Sequence, residues 1–144
     1  MNIIPGGVTA ATGFKANGIH CGIRKNHSKK DLALIYSAVP ASAAAVYTTN
    51  LVKGAPITVT KDHLSNGMAQ AIICNSGNAN TCNANGVEIA TKTCEILANE
   101  LGIDSKDIVV ASTGAGIAVA AIPLPFASEV KGLFVNNVPI SSPN

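Results

Sequence analysis

Hydrophobic positions along this chain fall into short runs that end in glycine, asparagine or proline, and one of these runs organises the rest. Ala71 to Gly86, AIICNSGNANTCNANG, opens with residues suited to a strand interior and then breaks into asparagines and glycines. Asn75, Gly77, Asn78, Asn80, Asn83, Asn85 and Gly86 tolerate left-handed backbone and bond neighbouring amides, so a buried strand is predicted to feed a functional loop. Beyond it Val87, Ala90, Cys94, Leu97, Ala98 and Leu101 recur at steps of three and four, the face of one helix, which Gly102 ends. Glu88 and Lys92 lie four apart on another face. Ile108 to Ala111 is a second apolar strand that ends at Ser112-Thr113-Gly114. The order predicts a strand-helix-strand unit over 71–111, with a right-handed crossover favoured.

The chain before this unit alternates less regularly. Residues 5–14, PGGVTAATGF, have no helical period and are expected to be extended or looped. Gly18 to Ile23 and Leu32 to Ser37 flank the basic stretch RKNHSKKD and predict a hairpin with a solvated tip. Val39-Pro40-Ala41-Ser42 reads as a turn and Ala43 to Thr49 as a strand. Pro56 to Thr60 alternates with period two and predicts another strand, its proline at the start, followed by a short helix or turn over 61–66 that stops at Gly67. The tail from Ala115 carries Pro123, Pro125, Pro139 and Pro143, and supports at most a strand or turn at Leu133 to Val135. The fold expected is α/β, with mixed sheet layers covered by helices. Residues 1–114 form the domain and 115–144 a divergent tail.

Composition narrows the class. Charged residues are 12% of the 144, about half the usual quarter, and aromatics are 3%, so the core is aliphatic and alanine-rich. With a mean hydropathy of +0.32, this argues against disorder and for a surface covered by more chain or by a partner. A net charge of +2 gives no footprint for nucleic acid, and Arg24, Lys25, Lys29 and Lys30 stand without an aromatic platform. No apolar run reaches the 18 residues of a membrane span, and a cytoplasmic location is expected. Cys21, Cys74, Cys82 and Cys94 form no C-x-x-C pair, with histidines only at 20, 27 and 63, so neither a zinc site nor a disulfide framework is indicated. Cys74 and Cys94 read as small buried residues.

The sharpest chemistry lies at Thr113-Gly114. A glycine lets an amide approach a substrate closely, and the hydroxyl beside it supplies a second donor, together the makings of an oxyanion hole. The same tripeptide also ends strands as a simple turn. A dinucleotide fingerprint starting at Gly114 fails at Val119, lacks the ribose-holding acid, and meets Pro123 where a helix is needed.

GGVTAATGF at 6–14, KKDLALI at 29–35, VPASAAAVYTTN at 39–50 with Lys53 and Ala55-Pro56, NSGNAN at 75–80 and VVASTG at 109–114 together resemble the glutamate N-acetyltransferase/ornithine acetyltransferase family, in its order and approximate spacing. The resemblance implies an enzyme of arginine biosynthesis that moves acetyl from N-acetylornithine to glutamate, with acetyl-CoA as a further donor in some members and no other cofactor. It implies a precursor that cleaves itself before a threonine, the nucleophile of the resulting β chain. Thr113 and Gly114 match the family's oxyanion pair, and NSGNAN, with Asn75, Gly77 and Asn78, matches a hallmark to which site-shaping is assigned. Residues 115–121 depart from the family's pattern after S-T-G, and the downstream threonine, lysine and Ala-Thr cleavage site are absent. The chain is therefore expected to act as an α-chain-like part, inactive alone, in an α2β2 heterotetramer. A non-catalytic remnant or interaction domain is the second reading, and a nucleotide-binding module the third.

Overall fold

The computed structural model describes residues 5–113. Within them four strands, β1 (Phe14–Ile19), β2 (Leu32–Ser42), β3 (Met68–Ser76) and β4 (Ile108–Thr113), form one sheet in the order β1-β2-β3-β4. The first three run antiparallel and β4 runs parallel to β3, so the sheet is mixed, as the sequence predicts. Helix α1 (Ala55–His63) precedes β3, and α2 (Gly86–Leu101) forms the crossover from β3 to β4.

Strand alternation divides the sheet into two unequal faces. Leu32, Leu34, Ala71, Ile73, Ile108 and Val110 are buried in one cluster with Ala90, Cys94, Leu97 and Ala98 of α2 and Val59 of α1. Both helices thus serve this one face. On the other face Ile35, Cys74, Val109 and Ala111 are only half-buried, and Ile72 is 40% exposed.

The predicted strand-helix-strand unit is present. Its helix ends at Gly102 with φ +68, the left-handed cap glycine supplies cheaply. Val87, placed by periodicity on the apolar face, is instead 48% exposed in the first turn.

Three expectations need correction. Pro56 to Thr60 is helix, not strand: Pro56 fits the first turn, where its missing N–H breaks no bond, and Pro56, Val59, Thr60 and His63 are buried at helical spacing. Burial of that stripe overrides the strand preference of Ile57, Thr58 and Val59. Val39 to Ser42 is the end of β2 rather than a turn; the register slips between Tyr36 and Ala41, which lets the chain carry Pro40 without breaking the sheet. Ala43 to Thr49 is not a strand, having one ladder-like bond, from the Ala43 amide to the Gly67 carbonyl, and Val46 stands 99% exposed. The hairpin forms as β1-β2, but its first strand occupies 14–19 and leaves the sheet at His20. The tail expected over 115–144, including the strand or turn at 133–135, lies outside the described residues.

Helix α1 also closes the sheet edge. The Thr60 hydroxyl donates to the Val110 carbonyl at 2.8 Å and accepts from the Val110 amide at 3.1 Å. His63 Nδ1 lies 2.7 Å from the Ile108 carbonyl, which only accepts, so this nitrogen carries the proton. Two buried polar side chains do for the outer edge of β4 what a fifth strand would do.

Candidate functional site

Because β3 and β4 are parallel and in register, their carboxyl ends lie side by side, with Asn75 opposite Ser112 and Ser76 opposite Thr113. This is where open α/β sheets place their ligand-binding loops. The NSGNAN loop leaves from one strand end, and Ser112-Thr113 forms the other. The Gly77 amide donates to the Thr113 carbonyl at 2.7 Å, extending the ladder by one bond. Gly77 has φ +128, a conformation open to glycine at little cost.

Asparagines build the loop from within. Asn75 Nδ2 donates to the Asn78 carbonyl at 2.9 Å, and Asn78 Oδ1 accepts the Asn80 amide at 2.9 Å, an Asx turn. Asn80, buried with φ +50, donates from Nδ2 to the Gly86 carbonyl at 2.8 Å, accepts Asn83 Nδ2 on Oδ1 at 3.0 Å, and accepts the Ala55 amide on its carbonyl at 2.9 Å. Asn80 therefore joins the starts of both helices, α2 through its side chain and α1 through its main-chain carbonyl. Gly86 must be glycine: a Cβ there would stand 2.8 Å from both Ala55 Cβ and Asn80 Oδ1.

A cavity of about 80 Å³ lies under this loop, between Ile89 of α2 and Ile73 and Val110 of the sheet, with Asn75, Asn80 and Ser112 as polar lining. That is small against the roughly 300 Å³ at which ligand pockets begin, so it does not by itself house an amino-acid substrate. Thr113 is not on its wall. Alternation places Thr113 with Val109 and Ala111 on the less covered sheet face, where it is exposed, whereas Asn75 and Ser112 belong to the helix side. Of the predicted site residues, Asn75, Gly77, Asn78 and Thr113 meet at one corner of the sheet; Gly114 lies outside the described residues.

The structure adds a residue that the sequence reading missed. Asp31, 1% exposed, accepts the Cys21 amide on Oδ1 at 2.7 Å and the Arg24 amide on Oδ2 at 2.8 Å. Burial raises its pKa, but those two amides, with the Cys21 thiol and His20, outweigh it and hold the carboxyl below its ordinary range. His20 Nδ1 lies 3.1 Å from both Asp31 Oδ2 and the Lys29 carbonyl, two acceptors, so it carries the proton; Nε2 is buried without a hydrogen-bond partner. No sequence signal short of the hairpin itself would bring Asp31 to Cys21. Among the described residues no cluster of His, Cys, Asp or Glu is arranged to hold a metal ion, and no helix is long and apolar enough to cross a membrane.

Comparison with known proteins agrees with this architecture. A family model described as the ArgJ family matches residues 15–130. The arginine biosynthesis bifunctional protein ArgJ of Caldanaerobacter subterraneus subsp. tengcongensis is 42% identical over 142 residues, 98% of this chain and 34% of its own length. That of Gloeobacter violaceus is 49% identical over 124 residues, 85% of this chain and 29% of its own. The chain thus spans about a third of the length of the curated relatives it matches. The crystal structure of ArgJ from Bacillus halodurans superposes with a TM-score of 0.77 at 38% identity, covering 89% of this chain and 65% of that one. Ornithine acetyltransferase from Mycobacterium tuberculosis, solved in complex with ornithine, gives 0.78 at 34% identity, covering 88% and 68%. With the mixed sheet, the crossover helix and the NSGNAN loop beside the Ser112-Thr113 strand end all in place, the chain belongs to the ArgJ family.

Proposed function

We propose that this chain is the α-chain-like part of an acetyltransferase that moves acetyl from N-acetylornithine to glutamate, with the threonine nucleophile carried by a β chain. The observation that carries the reading is the Gly77–Thr113 hydrogen bond, which locks the NSGNAN loop to the end of β4. A peptide plane is rigid, so an amide that holds the Thr113 carbonyl restrains the plane that the next donor shares. Thr113 then supplies its hydroxyl, and Gly114 its amide, to the oxyanion that forms as acetyl passes to and from the nucleophile. Asn75 and Asn78 shape the loop and touch no reacting atom.

The partner in this reading sits on the less covered face. Ile35, Ile72, Val109 and Ala111 are apolar, incompletely buried and continuous with Thr113, and Val46 and Leu51 protrude almost fully exposed from the segment after β2. Surface of this kind is covered in a working protein. The small cavity and the exposed Thr113 both call for further walls from a second chain, in an assembly of two α and two β chains. Acetyl-CoA is an additional donor to be tried, and a cytoplasmic setting is part of the same proposal.

The test is Thr113→Ala in this chain co-expressed with a family β chain. Loss of one oxyanion donor lowers kcat by about 10²–10³ while the assembly still forms. An unchanged kcat removes Thr113 from the chemistry.

A further inference from the structure

Asp31 immediately precedes β2 inside the KKDLALI stretch, and all its polar groups are engaged. Its amide donates to the Ile19 carbonyl at 2.9 Å and its carbonyl accepts the Ser76 amide at 2.8 Å, so the main chain ties the end of β1 to the end of β3. The carboxylate faces the turn that follows β1 and takes the Cys21 and Arg24 amides, one on each oxygen. Those two bonds bend residues 21–24 over the strand ends instead of letting β1 continue. Ile23 and Arg24 consequently rest on Gly77: a Cβ built there would meet Arg24 Cγ at 3.0 Å and Ile23 Cγ2 at 3.1 Å. Gly77 in turn gives its amide to Thr113.

We propose that Asp31 is a positioning residue for acetyl transfer, holding the 21–24 turn against Gly77 and through it the peptide at Thr113. The inference rests on the acetyltransferase reading above. The Asp31 carboxylate is 1% exposed and accepts a charge-assisted bond from each of two part-buried amides, which makes it a stiff anchor for the turn. Asp31 itself contacts no substrate in this arrangement; its effect passes through Ile23, Arg24 and Gly77.

The experiment uses Asp31→Asn in this chain co-expressed with a family β chain. The side chain keeps its shape, but an amide NH₂ replaces one oxygen and faces an N–H, so one of the two anchors is lost. The expected result is a kcat lower by about 10–100-fold, since small misplacement at a reacting centre has that effect, with KM for N-acetylornithine within about twofold. Ile23→Ala, which trims a half-buried side chain, lowers kcat in the same direction and serves if Asp31→Asn does not fold. Amide hydrogen exchange supplies a readout independent of catalysis: the Cys21, Arg24 and Gly77 amides exchange faster together in Asp31→Asn, while Leu97 in α2 stays protected. Wild-type kcat in both variants overturns the proposal, as does a Gly77 amide that keeps its protection while Cys21 and Arg24 open. A wild-type assembly that transfers no acetyl overturns the functional reading instead, and the joint exchange of the three amides still decides whether Asp31 holds Gly77.

Discussion

Gly77 and Thr113, 36 residues apart in sequence, are joined by a 2.7 Å hydrogen bond from amide to carbonyl at the carboxyl ends of two parallel strands. Replacing Gly77 by Ala puts a Cβ into contact with Ile23 and Arg24 and forces φ +128 on a residue that resists it. The backbone term alone is about 1–3 kcal/mol. Gly77→Ala is therefore expected to lower both the unfolding free energy by that amount and kcat, as read by urea titration and acetyl transfer on the same co-expressed assembly.

Thr60 offers a sharper stability test. It pairs both the amide and the carbonyl of Val110 in a buried place, so Thr60→Val, almost the same shape, leaves two backbone groups unsatisfied. The expected loss is about 1–3 kcal/mol per orphaned group, and Thr60→Ser restores most of it. Equal stability of the Val and Ser variants would mean that α1 does not close the edge of β4.

The Asp31 carboxyl fixes the sign of a pH dependence. Its folded pKa lies below the ordinary 3.8, so the folded state favours the ionised form. Its contribution is complete above 3.8 and disappears as pH falls through the lower folded value. Asp31→Asn should be less stable than wild type near neutral pH, with the difference shrinking only under acid conditions; thermal unfolding against pH measures it.

Cysteine reactivity checks the packing of α2. Cys94 is fully buried, and burial, with Glu95 adding to it, pushes its thiol up to about 12, whereas Cys82 is exposed in the asparagine loop. The thiolate is the reactive form. A thiol reagent near neutral pH is expected to label Cys82 first and Cys94 only on unfolding; labelling of both at one rate contradicts the docking of α2 on the sheet.

Much of this was legible in the residues. The unit from β3 to β4 follows from a periodic helix between two apolar strands, because packing there obeys the local pattern. Helix α1 was hidden by Ile57-Thr58-Val59-Thr60, whose β-branched alternation imitates a strand. The buried stripe Pro56, Val59, Thr60, His63 stood at helical spacing all along, but two of its members are polar and bury only because β4 has an edge to satisfy. Asp31 sits beside two lysines and reads as part of a solvated tip, until the hairpin closes and its carboxylate meets the Cys21 and Arg24 amides. Thr113 was visible through resemblance and strand-end chemistry together. Its bond to Gly77 needed the parallel register, which local sequence does not encode.

The most direct measurement is acetyl transfer from N-acetylornithine to glutamate, run with this chain alone and then with a β chain of the same family. The account predicts no transfer by the chain alone and transfer by the two together. Transfer in neither case, with both chains folded and associated, contradicts it and leaves a non-catalytic member of the fold.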